Sequence, residues 1–441
     1  MSTHDITAAS VEPALLDLPW EFPLDAWPSA HIAALPKGIS RHLVRFVHLS
    51  DGVVAVKETT EELARREYDL LRGLQRIEAP AVEPVAVVTA RTDADGTPLP
   101  SVLVTRHLRF SMPYRALFAQ TLRPDTATRL IDALAVLLAR LHVAGFFWGD
   151  VSLSNTLFRR DAGAFAAYLV DAETGQLHPD GISGGQRGND IELARVNVAG
   201  ELFDLQAAGR LEPGLDPVAV AERVVDTYHR LWGELTEWEA IPATERWRIS
   251  DRMRRLNDLG FDIGELEMVT DADGTTVRIQ PKVVDAGHHQ RRLLRLTGLD
   301  TQENQARRLL NDLDSYVATY GRPEQGEEVL AHEWLTRVFE PVVRAIPRDL
   351  RGKLEPAEVF HQLLDHRWYL SQAQQRDVPL AEAVTSYVGD VLRHRRDEAA
   401  LFNPPTGTIT LPIETIGSGP STDELRALPP DDDVEDWRLK V

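Results

Sequence analysis

The sequence predicts a mixed α/β (α+β) chain: a small sheet-plus-helix lobe over about 36–108, a helical lobe over about 109–210, and a mostly helical C-terminal domain over 211–401. Three observations predict it. Short apolar strands crowd the first hundred residues and are separated by turn signals at Asp51-Gly52 and 93–96. Leu130, Leu134, Leu138 and Leu141 then recur at helical spacing. From Asp190 to about Leu401 helical patterning dominates, with one hairpin pattern at 265–284 that turns at Asp273-Gly274.

Residues 1–35 are rich in Pro, Trp and Leu and read as an irregular segment. A turn and strand over 37–49 are followed by the hairpin signal Asp51-Gly52 and a returning strand that ends at Lys57. Thr59 with Glu62 makes a capping box, and Leu63, Leu70, Leu71 and Leu74 share one face of the helix it opens. Two more apolar strands, at 82–90 and 102–106, complete the first lobe. The long helix over 125–144 ends at Gly145. Short strands at 156–158 and 168–171 precede a glycine-rich loop over 181–188. The stretch 402–441 is rich in Pro, Gly and Thr, ends in acidic runs, and reads as a mobile acidic tail.

The 441 residues hold 48 basic against 68 acidic side chains, a net charge of -20. A surface that acidic repels polyanions, so no nucleic-acid partner is expected. No cysteine is present, which excludes disulfides, thiol nucleophiles and Fe–S clusters. The most apolar stretch, 130–148, carries Asp132, Arg140 and His142, so no transmembrane segment is expected. No secretory signal is visible, and the expected location is cytoplasmic.

Chemistry concentrates in 141–158. Asp150, followed five residues later by Asn155 between a helix and a short strand, suits phosphoryl transfer. The Asp can accept a proton from an attacking hydroxyl, and the Asn can hold a metal on nucleotide phosphates. Asp171, at the end of a strand, is a sensible second metal ligand, since Mg²⁺ needs few protein oxygens. Upstream, Lys57 ends an apolar strand and needs a carboxylate to hold it. Glu67 falls inside the apolar stripe of the next helix, where a bare carboxylate is costly. The two anomalies explain each other.

Taken singly, each residue has a plainer reading. Lys57 alone is an exposed strand-end lysine, Glu67 a stripe-edge residue, and Asp150 and Asn155 turn residues. Together and in order, Lys57, Glu67, Asp150, Asn155 and Asp171 resemble the protein-kinase-like fold, a bilobal arrangement covering about 36–210. The chain as a whole resembles a bacterial family of unknown function whose first half is similar to the lipopolysaccharide (Kdo) kinases.

The resemblance implies an ATP- and Mg²⁺-dependent phosphotransferase acting on a small-molecule, sugar or lipid-linked hydroxyl acceptor. By position it implies that Lys57 contacts the α/β-phosphates, Glu67 anchors Lys57, Asp150 is the catalytic base, and Asn155 and Asp171 bind Mg²⁺. Residues 104–109 would form the hinge beside adenine. Departures are also visible. The phosphate-covering turn over 37–41 has one glycine, Gly38, with Arg41 as added charge. Trp148 stands where kinases often place His, and Ala172-Glu173 follows Asp171 instead of Phe-Gly. Glu173 adds a metal ligand or faces solvent. These departures keep open a nucleotide-binding regulatory pseudokinase that works through its C-terminal domain, which would then meet a protein partner.

A second basic cluster, His288, His289, Arg291, Arg292 and Arg295, opens a helix, with Arg307 and Arg308 beyond. It is either an anion- or partner-recognition site or a solvated basic face.

Overall fold

The computed structural model describes residues 4–10, 12–33, 42–49, 52–118, 124–245, 247–259, 261–270, 276–321 and 326–395. Gly38 and Arg41, Asp51, the turn at Asp273-Gly274 and the tail from 402 lie outside the described residues. The chain divides into two compact units, Met1–Arg159 with Ala164–Gly287, and Arg160–Gly163 with His288–Val441.

The first unit opens with β1 (Asp5–Ala8), β2 (Val44–Leu49), β3 (Gly52–Thr59), α1 (Glu61–Arg76), β4 (Pro84–Thr89) and β5 (Ser101–Arg106). They form a five-stranded sheet of order β1-β4-β5-β3-β2, antiparallel throughout. The strand period of two sorts the side chains between two cores. Val54 and Val56 on β3, with Val102 and Val104 on β5, meet Leu15, Leu18, Trp20 and Leu24 of the N-terminal segment. Leu103 faces the other way, towards Ala64, Leu71 and Leu74 of α1.

The described residues between 4 and 33 therefore cover one sheet face and, through β1, pair with β4. Arg91, 1% exposed, fastens them: its guanidinium donates to the carbonyls of Trp20 (3.1 Å), Phe22 (2.6 Å) and Pro100 (2.8 Å) and to Glu58 (3.0 Å). The cap of α1 is Thr60, whose hydroxyl accepts from the Leu63 amide, not Thr59. Thr59 is still the last residue of β3, paired with Ser101.

The unit continues through β6 (Met112–Pro113), α2 (Tyr114–Phe118), α3 (Pro124–Val143), β7 (Phe146–Phe147), β8 (Thr156–Asp161), β9 (Ala164–Leu169), β10 (Gln176–Leu177), α4 (Gly184–Ala207) and α5 (Pro217–Thr236). The α3 leucines, with Val198, Leu202 and Leu205 of α4 and Val224 and Leu231 of α5, build a continuous core. The glycine-rich stretch at 181–188 is not all loop. Ser183 and Gln186 cap each other's backbone, and α4 begins at Gly184. β11 (Glu239–Pro242), α6 (Trp247–Asp258), β12 (Phe261–Thr270) and β13 (Thr276–Ala286) add a three-stranded sheet of order β11-β13-β12.

The second unit carries α7 (His288–Thr297), α8 (Glu303–Tyr320), α9 (Glu327–Trp334), α10 (Glu340–Ala345), α11 (Pro356–Gln374) and α12 (Leu380–Ser386). Trp334, Phe339 and Phe360 centre its core. Asp161, which belongs to this unit, accepts from the backbone amides of Asn304 (3.2 Å) and Gln305 (2.7 Å) at the start of α8. Among the described residues, no helix is long and apolar enough to cross a membrane.

Candidate functional site

Lys57 lies on β3 directly opposite Leu103, so its side chain leaves the sheet on the α1 face. Glu67 is 1% exposed in the buried stripe of α1 with Ala64, Leu71 and Leu74. The ammonium of Lys57 donates to Glu67 Oε2 at 2.9 Å, Asp171 Oδ2 at 3.0 Å and Glu173 Oε2 at 3.2 Å. The backbone amide of Ala172 reaches the other Glu67 oxygen at 3.3 Å, and that of Glu173 reaches Asp171 Oδ1 at 3.0 Å. Glu173 is therefore no free surface acid, and it also meets His42 at 3.0 Å.

One ammonium among three carboxylates leaves negative charge in excess. Burial would lower the Lys57 pKa, but the carboxylates of Glu67 and Asp171 outweigh it and hold the ammonium above its ordinary range. Burial and the neighbouring Asp171 push Glu67 up to about 7, against the pull of Lys57 and the Ala172 amide. Oxygens of Glu67, Asp171 and Glu173 all lie within 4.8 Å of one another. A hard, oxygen-seeking divalent cation is the species such a surplus suits, and Asp171 and Glu173 are partly open to solvent at 30% and 24%.

The second cluster is the loop between β7 and β8. Gly149, at φ +77°, turns the chain into Asp150. Asn155 Nδ2 donates to Asp150 Oδ2 and to the Asp150 carbonyl, each at 3.1 Å, which leaves the Asn155 amide oxygen on the side away from Asp150. The loop is tied within itself by the Asn155 amide on Ser152 Oγ (3.2 Å) and Thr156 Oγ1 on the Ser152 carbonyl (2.8 Å). Backbone and side-chain contacts join the clusters. The Val170 amide donates to the Asn155 carbonyl at 3.0 Å, and the Trp148 indole donates to the Asp171 carbonyl at 3.2 Å. Trp148 thus supplies a donor from the loop to the strand end, while Thr174 Oγ1 returns to the Trp148 carbonyl at 2.8 Å. From Gly149 to Phe158 the loop holds no Lys or Arg.

Three α4 side chains brace this loop. Asp190, fully buried, accepts from the amides of Trp148 and Gly149, both at 2.8 Å, and from His142 at 3.1 Å. Burial lowers the pKa of His142, although Asp190 opposes it. Asn197 donates to Asp150 Oδ1 at 3.3 Å and to the Val151 carbonyl at 3.0 Å. Glu201 accepts from the amides of Leu153 and Ser154, both at 2.8 Å.

Lys57, Glu67 and Asp171 thus meet in one cluster and Asp150 and Asn155 in another. Gly38 and Arg41 lie outside the described residues. Asp190, Asn197 and Glu201 are the neighbours that the motif pattern alone does not single out, whereas Glu173 is already a candidate ligand beside Asp171 in the sequence. The spacing of positions 190, 197 and 201 on one helix face is a signal, but it is readable only once the helix is known to start before Asp190. At 104–109, the amides of Arg106 and His107 donate to the carbonyls of Glu83 (2.8 Å) and Val53 (2.9 Å). Burial lowers the His107 pKa to about 4, so its ring is neutral. In the second unit, Arg292 pairs with Glu327 at 2.8 Å and Asp314 at 3.3 Å, and His289 with Glu303 at 2.6 Å. Those members of the basic cluster balance local acids.

Residues 47–191 match the lipopolysaccharide kinase (Kdo/WaaP) family, so the kinase-like fold covers this stretch. Residues 230–392 match a domain of unknown function (DUF4032). A solved structure described as WaaP in complex with acyl carrier protein is similar at 16% identity, covering 58% of this chain and 99% of that one, with a TM-score of 0.35. No curated protein matches the chain.

Proposed function

We propose that this chain is an ATP- and Mg²⁺-dependent phosphotransferase whose acceptor is the hydroxyl of a small molecule, a sugar or a lipid-linked sugar. The observation that carries the reading is the Lys57 ammonium held between Glu67 at 2.9 Å and Asp171 at 3.0 Å, inside a stretch that matches a kinase family. Glu67 keeps Lys57 charged and aimed, so that Lys57 can neutralise the α/β-phosphates. Asp171 and the amide oxygen of Asn155 would hold Mg²⁺, which supplies charge neutralisation on the phosphates. Asp150 takes the proton of the acceptor hydroxyl. Gly38 and Arg41 would cover the phosphates, and residues 104–109 would flank the adenine. With no cation in the loop itself, neutralisation falls to Lys57, the metal and groups brought from elsewhere. The second unit and the family region at 230–392 would serve a protein partner, and a cytoplasmic location suits the nucleotide.

A second reading draws support from Glu173. The Lys57 ammonium already has three carboxylate partners, an arrangement that a regulatory pseudokinase would tolerate. Thermal unfolding with and without MgATP, for the wild type and Asp171→Ala, tests the nucleotide site. Ligand at about 100 times its dissociation constant adds about 2.7 kcal/mol, several degrees of melting temperature. The expected result is a metal-dependent shift that Asp171→Ala abolishes; no shift at millimolar nucleotide would overturn the reading. Asp150→Asn then separates the two readings. A phosphotransferase loses turnover and keeps nucleotide affinity, whereas a pseudokinase has no turnover to lose.

A further inference from the structure

We propose that Asn197 is a positioning residue for Asp150, fixing the plane of its carboxylate from outside the loop. The inference rests on the phosphotransferase reading and adds to it a residue that lies beyond the family match at 47–191.

The torsion about the Cβ–Cγ bond of an aspartate is broad and roughly two-fold. One hydrogen bond leaves the carboxylate free to swing, whereas a donor on each oxygen fixes its plane. Asp150 has both. Asn155 Nδ2 reaches Oδ2 at 3.1 Å from within the loop, and Asn197 Nδ2 reaches Oδ1 at 3.3 Å from α4. The second proton of the Asn197 amide goes to the Val151 carbonyl at 3.0 Å. Two oxygens and no donor face that nitrogen, so the amide has one sensible orientation.

The helix that carries Asn197 is a fixed reference for the loop. Asp190 accepts from the amides of residues 148 and 149, Asn197 donates to the Asp150 carboxylate and the Val151 carbonyl, and Glu201 accepts from the amides of 153 and 154. Helix and loop therefore run side by side in register. Asp190 and Glu201 take up backbone amides; Asn197 reaches the acid itself. A neutral amide suits that place, because a cation there would compete with the acceptor hydroxyl for the carboxylate, and an anion would repel it.

The test uses the full chain, MgATP, and water as acceptor, with released phosphate as readout and Asp150→Asn as background. Asn197→Asp is isosteric, removes the donor and sets a second carboxylate against Asp150. It is expected to lower kcat about tenfold to hundredfold with KM for MgATP unchanged. Asn197→Gln keeps the donor and is expected to recover part of the loss. A merely structural asparagine would instead lower the melting temperature and leave kcat intact in the folded protein. Should Asn197→Asp fail to fold, Asn197→Ser carries the same comparison of kcat with KM. If the wild type exceeds the Asp150→Asn background and the Asn197 variants equal the wild type, the inference falls and the phosphotransferase reading stands. A wild type no faster than Asp150→Asn would overturn both.

Discussion

Lys57 and Glu67 face each other at 2.9 Å across the gap between β3 and α1, joining sheet and helix by charge where their neighbours join by packing. Glu67 is 1% exposed, so the carboxylate is tolerable only because the ammonium is there. Lys57→Met is expected to destabilise the chain by about 3–5 kcal/mol, since it leaves Glu67 opposite Asp171 with no cation between them. Glu67→Gln keeps a hydrogen-bond acceptor and relieves one of three anions, so its cost should stay below about 2 kcal/mol. Urea unfolding midpoints of the two variants check the ordering.

Asp190 satisfies two consecutive loop amides and His142 from a fully buried position. Asp190→Ala strands three polar groups at about 1–3 kcal/mol each, so a loss of at least about 3 kcal/mol is expected. Amide exchange at Trp148 and Gly149 should quicken more than exchange in α5, and a uniform change across both regions would count against the bracing role.

Gly149 and Gly181 both adopt left-handed backbone, at φ +77° and +85°. They differ in surroundings: a Cβ on Gly149 would meet the Thr174 carbonyl at 3.1 Å, while one on Gly181 meets nothing within 4 Å. Gly181→Ala should cost about 1 kcal/mol from backbone strain alone, and Gly149→Ala about 2 kcal/mol or more. Melting temperatures of the pair read the difference.

Burial pushes Asp161 up to about 6, against the pull of the Gln305 and Asn304 amides and with Glu358 adding to the rise. The folded protein therefore binds a proton that the unfolded chain, titrating near 4, has released. Between about pH 4 and 6 this group's stabilising contribution falls as the pH rises, by about 3 kcal/mol over the whole window. Asp161→Asn should flatten that part of the stability profile, measured as urea midpoints at pH 4.5 and pH 7 for both proteins.

The five motif residues were legible as an ordered set, two of them as local anomalies and three by their spacing. Glu67 sat in an apolar stripe, Lys57 closed an apolar strand, and Asp150, Asn155 and Asp171 clustered around short strands. The long α3 and the hairpin of β12 and β13 announced themselves by periodicity, and they stand within a few residues of where the pattern set them. What stayed hidden depended on contacts distant in sequence. Asn197 meets Asp150 across 47 positions, and no local pattern marks an asparagine on a polar helix face. The α4 start was obscured because Gly184, Gly185 and Gly188 argue for a loop, while the Ser183–Gln186 box overrides them. The N-terminal segment looked irregular because its order comes from Trp20 and Leu24 lying on the sheet, not from any repeat of its own.

Arg91 turns that segment into part of the lobe rather than an appendage. A gene trimmed to begin at residue 36 would strip the guanidinium of the Trp20 and Phe22 carbonyls, leaving it Glu58 and Pro100. It would also bare a greasy stripe of Val54, Val56, Val102 and Val104 to water. Such a shortened protein would clump in the test tube, and its silence in an assay would report on solubility rather than on chemistry.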